Sequence, residues 1–222
     1  MNGRLLLIRH GEPVGHAGRC VGHYDTDLAP SAAQPLLRLA ASAISATTPP
    51  RVVVASDLRR AARSAAILAR AWNAELRFDP RLREVSFGNW EGRLWDDIAR
   101  DDASAMEAWG SDWTRFSAPG GETGAALAIR ARPALHDLLT LAATAGDIAV
   151  VTHAGWIRVA TTILLREPLA SAFDRTIDYA RAAIFDLDPT NVRLIDWNID
   201  ALDAMRATNA SALPPTQPSA PS

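Results

Sequence analysis

The sequence predicts an α/β fold in three layers, with a mainly parallel central sheet between two layers of helices. Short apolar runs typical of buried strands occupy residues 4–8, 52–54 and 148–152, and residues 75–78 are interpreted as a further strand. Longer helical segments alternate with them at residues 31–44, 58–71, from about 124 to 143, and 156–165. Ser31 is the expected cap of the first of these helices. Residues 182–188 and 192–197 are predicted to close the sheet as a hairpin.

Two segments depart from this alternation. Residues 83–119 hold four tryptophans and many acidic residues, so we expect an inserted, partly helical cover at about residues 90–119. Beyond Met205, Ala, Ser, Thr and Pro dominate, and this composition is typical of disorder. The expected organisation is one domain over residues 1–205 and a disordered tail over residues 206–222.

Composition excludes several functions. All 23 basic residues are arginine, which rules out lysine-based Schiff-base chemistry and a P-loop lysine. The formal net charge of −2 argues against nucleic acid or an anionic membrane as the main partner. The expected partner is a small molecule, and the protein itself is expected to be a monomer or a homodimer.

Compartment is inferred from the single cysteine and the lack of long apolar runs. Cys20 has no partner for an internal disulfide, which favours a reducing environment. Neither the first residues nor the apolar run at residues 159–165 has the form of a signal peptide or a membrane span. We therefore expect a cytoplasmic protein.

The predicted strands end in residues suited to chemistry. Arg9 and His10 follow the first strand, Ser56 and then Arg60 follow the second, and His153 follows the fourth. Ligands of parallel α/β sheets bind beyond the carboxyl ends of the strands, so these side chains are expected to converge.

A histidine among arginines suits attack on phosphorus. An imidazole is a competent nucleophile near neutral pH, and guanidinium groups pair with phosphate oxygens as a fork. The expected reaction moves a phosphoryl group to the ring nitrogen and then to water, with charge placed around the phosphoryl oxygens. A carboxylic acid is also needed to protonate the departing oxygen.

Five ordered motifs carry a family resemblance. They are Leu7-Ile8-Arg9-His10-Gly11-Glu12, Ser56-Asp57-Leu58-Arg59-Arg60-Ala61, Leu82-Arg83-Glu84 with Phe87-Gly88-Asn89-Trp90-Glu91-Gly92, Pro119-Gly120-Gly121-Glu122-Thr123, and Val151-Thr152-His153-Ala154-Gly155-Trp156-Ile157-Arg158. Together they resemble the histidine phosphatase superfamily, also called phosphoglycerate-mutase-like. The resemblance covers roughly residues 4–160 and implies that family's fold and phosphomonoester hydrolysis.

The resemblance also implies residue roles. His10 is the expected phosphorylated nucleophile, Arg9, Arg60 and His153 are the expected phosphate-binding groups, and Glu84 is the expected proton donor. The further substrate-binding candidates are His16, Gly22 and Ala154. No metal or organic cofactor is implied, and the charges of Arg9 and Arg60 argue independently against a cation among these histidines.

Within the family, the segment Gly18–Asp25 and the Trp-rich segment resemble bacterial α-ribazole phosphatases, which release phosphate from α-ribazole 5′-phosphate during cobalamin assembly. Pro13, His16 and Val21 depart from the usual pattern; a family asparagine is replaced by His16. The alternatives are a phosphoglycerate mutase, a broad sugar-phosphate phosphatase, and an inactive protein that binds phosphorylated ligands. Cys20 is interpreted as a small loop or pocket residue rather than a nucleophile, and Arg130 and His136 as surface residues of a helix.

Overall fold

The central sheet has six strands. The computed structural model describes residues 3–46, 49–188 and 191–199, and of residues 43–46 it describes only the backbone. The strands are β1 (Gly3–Arg9), β2 (Val52–Ala55), β3 (Glu75–Phe78), β4 (Ile148–Thr152), β5 (Ala182–Asp188) and β6 (Asn191–Ile199), in the spatial order β3-β2-β4-β1-β5-β6.

Strand direction confirms the mainly parallel sheet. β1 pairs in parallel with β4, β4 with β2, and β2 with β3, whereas β5 runs antiparallel to β1 and to β6. The carboxyl ends of β1, β4 and β2 therefore lie side by side at one edge. This places the residues that follow these strands at a common site.

Helices cover both faces of the sheet. They are α1 (Ala33–Ala46), α2 (Arg59–Trp72), α3 (Trp95–Asp101), α4 (Ala103–Ser111), α5 (Gly124–Ala145) and α6 (Ala154–Leu165). Alternation along β1 divides the core between the faces: Leu5 and Leu7 pack with residues of α5 and α6, and Ile8 packs with residues of α1 and α2. The three-layer prediction is confirmed. Among the described residues, no helix has the length and apolar character needed to cross a bilayer.

Two local predictions need correction, and two others fall outside the described residues. Ser31 does not cap α1, because it lies in a 3-10 turn, Pro30–Ala32, that precedes the helix. Helix α6 begins at Ala154 rather than at Trp156, immediately after the site residue His153. The middle of the hairpin turn and the predicted tail at residues 206–222 lie outside the described residues.

The Trp-rich segment builds a small aromatic cluster. Trp95 and Trp109 stack with ring centroids 6.2 Å apart at 21°, and Trp90 is fully buried between them and Asp102, to which its indole donates. Cys20 is buried in the same cluster, and its burial raises the pKa of the thiol. These rings therefore contribute mainly to packing. Burial and the raised thiol pKa make Cys20 unsuited to act as a nucleophile, as predicted from the sequence.

Candidate active site

His10 lies at the carboxyl end of β1 and is buried. Its Nδ1 lies 2.6 Å from the carbonyl oxygen of Gly11, and the Nε–H of Arg60 lies 3.2 Å from its Nε2. A carbonyl only accepts and a guanidinium only donates, so Nδ1 carries the proton and Nε2 carries the lone pair. Nε2 is thereby the nitrogen available as a nucleophile.

The surroundings of His10 favour its neutral form. Burial lowers the pKa of His10 well below its usual range, and the positive charges of Arg60 and Arg9 lower it further. A neutral ring retains the lone pair that attack on phosphorus requires.

Arg60 enters the site from the first turn of α2 and is 1% exposed. Its Nη1 donates to the Tyr24 carbonyl at 3.0 Å and its Nη2 to the Gly22 carbonyl at 2.5 Å, while Nε faces His10. Gly22, a predicted substrate-binding residue, is therefore placed beside Arg60, to which it offers its carbonyl.

Arg9 is held by groups from the segment before β5. Its Nη1 donates to the Ile177 carbonyl at 2.6 Å, and its guanidinium carbon lies 3.7 Å from the ring centroid of Tyr179. Tyr179 also lies 5.5 Å from the ring of His10 and 5.2 Å from that of His16. Tyr179 was not predicted as a site residue, because it belongs to none of the five motifs.

His153 faces His10 from the end of β4. The ring centroids are 4.9 Å apart, and Nε2 of His153 lies 2.9 Å from the hydroxyl oxygen of Ser56. Burial and the charge of Arg60 lower the pKa of His153 well below its usual range. Its buried Nδ1 has no hydrogen-bond partner among the described residues, so it is the ring atom free for a ligand.

Glu84 packs against the N-terminus of α6. Its carboxylate accepts hydrogen bonds from the backbone N–H groups of Val85, Gly155 and Trp156, at 3.0–3.1 Å. Glycine is needed at position 155, since a Cβ there would come 2.5 Å from Oε1 of Glu84. Ala154, a predicted substrate-binding residue, is the first residue of the same helix, where N–H groups point out of the helix end.

Two side chains, Arg130 and His23, hold the backbone that carries Glu84. Arg130 of α5 donates to the carbonyls of Arg81 and Arg83 at 2.7 and 2.9 Å, and to that of Glu84 at 3.0 Å. It also pairs with Glu122, so its interpretation as a surface residue is wrong. Nε2 of His23 lies 2.7 Å from the Glu84 carbonyl oxygen, which makes this imidazole a structural donor.

His16 stands at the outer side of the site. Its Nδ1 lies 2.7 Å from the Pro13 carbonyl oxygen, and its ring meets Tyr179 edge to face. The loop thus orients His16 beside the groups around His10. Among the described parts of the chain, no group of three His, Cys, Asp or Glu side chains has an arrangement that would hold a metal.

Residues 5–200 match the model of the histidine phosphatase superfamily (branch 1). The chain belongs to this family. The match confirms the resemblance carried by the five motifs, and with it the predicted enzyme class, a phosphoric monoester hydrolase.

Two curated relatives and one solved structure illustrate the similarity. A glucosyl-3-phosphoglycerate phosphatase of Mycolicibacterium vanbaalenii is 30% identical over 218 residues, covering 90% of this chain and 94% of the relative. An adenosylcobalamin/alpha-ribazole phosphatase of Salmonella typhimurium is 28% identical over 188 residues, covering 83% of this chain and 90% of the relative. The structure of a mycobacterial glucosyl-3-phosphoglycerate phosphatase with VO3 superposes with a TM-score of 0.77 at 29% identity, covering 88% of this chain and 98% of that one. These names differ in substrate, so the family assignment fixes the reaction class and leaves the substrate open.

Proposed function

We propose that this chain hydrolyses small phosphomonoesters by transferring the phosphoryl group to Nε2 of His10 and then to water. The observation that carries the proposal is the hydrogen bonding of His10: Nδ1 is committed to the Gly11 carbonyl, and the lone pair on Nε2 faces the guanidinium of Arg60. Phosphate oxygens placed between Nε2 of His10 and the guanidinium of Arg60 would therefore lie beside a permanent positive charge.

In the first step, Nε2 attacks phosphorus in line with the departing oxygen. The N–P bond forms as the P–O bond to the alcohol breaks, and Glu84, in its protonated form, gives its proton to that oxygen. Arg9, Arg60 and His153 bind the remaining phosphoryl oxygens. To do so, Arg60 exchanges its contact with Nε2 for one with a phosphoryl oxygen.

In the second step, a water molecule attacks phosphorus on the side that the alcohol has left. Glu84, now a carboxylate, takes a proton from this water, the N–P bond breaks, and inorganic phosphate leaves. His10 is thereby returned to its neutral form with the proton on Nδ1. No atom or electron needs to be supplied from outside the substrate, the water and these side chains.

The substrate proposed from the sequence is α-ribazole 5′-phosphate, in assembly of the cobalamin nucleotide loop. Support comes from the relative named for alpha-ribazole. A second candidate is glucosyl-3-phosphoglycerate, for which the relative at 30% identity is named. Trp90, Trp95 and Trp109 pack against one another, so fewer of their faces are left to stack on the base of α-ribazole 5′-phosphate, and these rings do not add to the support for that substrate.

The reaction is tested with His10→Ala and, as a matched control, His136→Ala, since His136 is exposed on α5. We expect the first variant to lose turnover of p-nitrophenyl phosphate and the second to keep it. Rapid acid-free quenching of wild type with radiolabelled substrate should give an acid-labile, alkali-stable label that is absent from His10→Ala. Turnover by folded His10→Ala would refute the nucleophile, and interconversion of 2- and 3-phosphoglycerate would favour the mutase alternative.

The substrate is tested by comparing kcat/KM for α-ribazole 5′-phosphate, glucosyl-3-phosphoglycerate and p-nitrophenyl phosphate on one preparation. A natural substrate should exceed p-nitrophenyl phosphate by at least about 100-fold, because remote binding energy is used in the transition state. Absence of turnover for all three would favour the inactive, ligand-binding alternative.

A further inference from the structure

Ser56 follows β2 directly, and its side chain meets His153. Its backbone N–H donates to the Val151 carbonyl of β4 at 3.0 Å, and the residue is fully buried. The hydroxyl oxygen lies 2.9 Å from Nε2 of His153. A single side-chain hydrogen bond therefore joins the residue after β2 to the residue after β4, beside the site. The reaction proposed above gives this hydroxyl no role.

The hydroxyl of Ser56 has one proton to place. A serine hydroxyl donates once and can accept twice. The backbone N–H of Leu58 donates to its oxygen at 3.3 Å, so one lone pair is engaged by a group that cannot accept. In the part of the chain that the structure describes, Nε2 of His153 is the acceptor that this hydroxyl proton can reach.

This arrangement distinguishes the two neutral forms of His153. Burial and the charge of Arg60 lower the pKa of His153, so the ring carries one proton. With that proton on Nδ1, Nε2 accepts from the Ser56 hydroxyl and both groups are satisfied. With the proton on Nε2, the hydroxyl oxygen receives two donors and its own buried proton has no acceptor. A buried donor left unpaired disfavours the second form by about 10- to 100-fold.

The position of the proton decides what Nδ1 of His153 can do. Nδ1 is buried without a partner among the described residues, and the ring centroid lies 4.9 Å from that of His10. Phosphoryl oxygens only accept hydrogen bonds. A protonated Nδ1 would donate to such an oxygen, whereas an unprotonated Nδ1 would direct its lone pair at a negative charge.

We propose that Ser56 is a positioning residue that keeps neutral His153 in the form with its proton on Nδ1, and so makes it a donor to the transferring phosphoryl group. This proposal rests on the proposed function. The Gly11 carbonyl places the proton of His10 on Nδ1 as well, which leaves Nε2 of that ring free for attack. One carbonyl and one hydroxyl thus give the two histidines different tasks, attack for His10 and donation for His153.

The test reads the proton directly. Two-bond ¹H–¹⁵N correlation spectra of protein labelled at histidine distinguish the two neutral forms, and His153→Gln identifies the signals of His153. In wild type without substrate we expect the proton on Nδ1. Ser56→Ala removes the donor to Nε2, so signals of the form protonated at Nε2 should appear, and saturating vanadate should restore the form protonated on Nδ1.

Turnover should follow the spectrum. If half to nine-tenths of the His153 rings in Ser56→Ala carry the proton on Nε2, kcat/KM for p-nitrophenyl phosphate should fall about 2- to 10-fold, since the competent fraction falls by that factor. Ser42→Ala is the matched control. It removes another buried hydroxyl, which donates to the Leu39 carbonyl within α1 at 2.8 Å, and it should change neither the spectrum of His153 nor turnover.

Three results would overturn the role of Ser56. They are a wild-type His153 with its proton on Nε2, a Ser56→Ala variant that keeps the wild-type spectrum of His153, and a changed spectrum with wild-type turnover. A loss of turnover with an unchanged spectrum belongs to the second case and would indicate a role in packing. The proposed function would fail separately, through turnover by His10→Ala, because the spectrum is recorded without substrate.

Discussion

Replacing Gly155 by alanine tests whether Glu84 must sit where helix α6 holds it. The new Cβ would come 2.5 Å from Oε1 of Glu84, so the carboxylate must retreat by about 0.9 Å to reach an ordinary contact of 3.4 Å. A displacement of about 1 Å in a reacting group can lower a rate by about 100-fold. We expect this loss in kcat/KM for glycerol 3-phosphate, whose departing alkoxide needs a proton.

The same variant should change turnover of p-nitrophenyl phosphate by only about 3-fold, because p-nitrophenolate leaves without prior protonation. Gly110→Ala is the matched control: an added Cβ on that residue of α4 meets no atom within 4 Å. Thermal melts of both variants check the fold. Unchanged turnover of glycerol 3-phosphate, or an equal fall for both substrates, would refute the placement of Glu84 as proton donor.

Three other predictions concern the groups that support the site. Burial and the charge of Arg60 hold the pKa of His10 and of His153 well below the unfolded value of about 6.5, so below pH 6.5 the unfolded chain binds more protons and stability falls as the pH falls. Urea titrations between pH 7.5 and 5.5 should show that the free energy of unfolding falls by up to about 2.7 kcal/mol per pH unit as the pH falls. The His153→Gln variant should lose about half of this pH dependence. A free energy of unfolding that does not change with pH would contradict the interpretation that both histidines are buried in the neutral form. Tyr179→Phe should keep kcat/KM for p-nitrophenyl phosphate, because phenylalanine preserves the ring face that packs on Arg9. Tyr179→Leu should lower kcat/KM about 10-fold. An equal fall in kcat/KM for both variants would indicate that the hydroxyl group of Tyr179, and not its ring, supports the site. Arg130→Met should lower the free energy of unfolding by about 2 kcal/mol in urea titrations. A urea midpoint equal to that of wild type would show that the hydrogen bonds from Arg130 to the backbone carbonyls do not stabilise the fold.

The fold and the centre of the site follow from rules that act locally or on strand order. Apolar runs placed β1, β2 and β4 within a residue or two, because buried strands need continuous apolar sequence. The carboxyl ends of the parallel strands β2, β4 and β1 lie side by side, and this arrangement brings Arg9, His10, Arg60 and His153 together, since each lies at or after the end of one of these strands. The position of Glu84 could not be predicted from the strand ends. Its placement came from the family motif, and the geometry that holds it depends on a distant helix N-terminus.

The remaining contacts depend on tertiary packing that a local pattern does not encode. Arg130 sits in a helical run that looks solvated, yet its guanidinium reaches three carbonyls of a segment nearly 50 residues away in the chain. Tyr179 lies between elements, in a segment with neither helical nor strand periodicity. Arg158 is the last residue of a motif, but the burial of its Nε without a hydrogen-bond partner among the described residues is a property of the packed structure.

In the proposed reaction, the charges around the site account for the different roles of His10 and His153. Before substrate binds, Arg60 and burial keep both rings neutral, and His10 retains its lone pair for attack. A bound phosphoryl group brings negative charge to the buried Nδ1 of His153, and an adjacent negative charge favours the protonated imidazole. In the proposed reaction, His153 would then donate to the phosphoryl oxygen as the N–P bond forms, while the Nδ1–H of His10, bonded to the Gly11 carbonyl, would keep Nε2 directed at phosphorus. We therefore expect vanadate, which resembles the transferring group, to raise the NMR-measured pKa of His153 and to leave the Nδ1 proton of His10 in place.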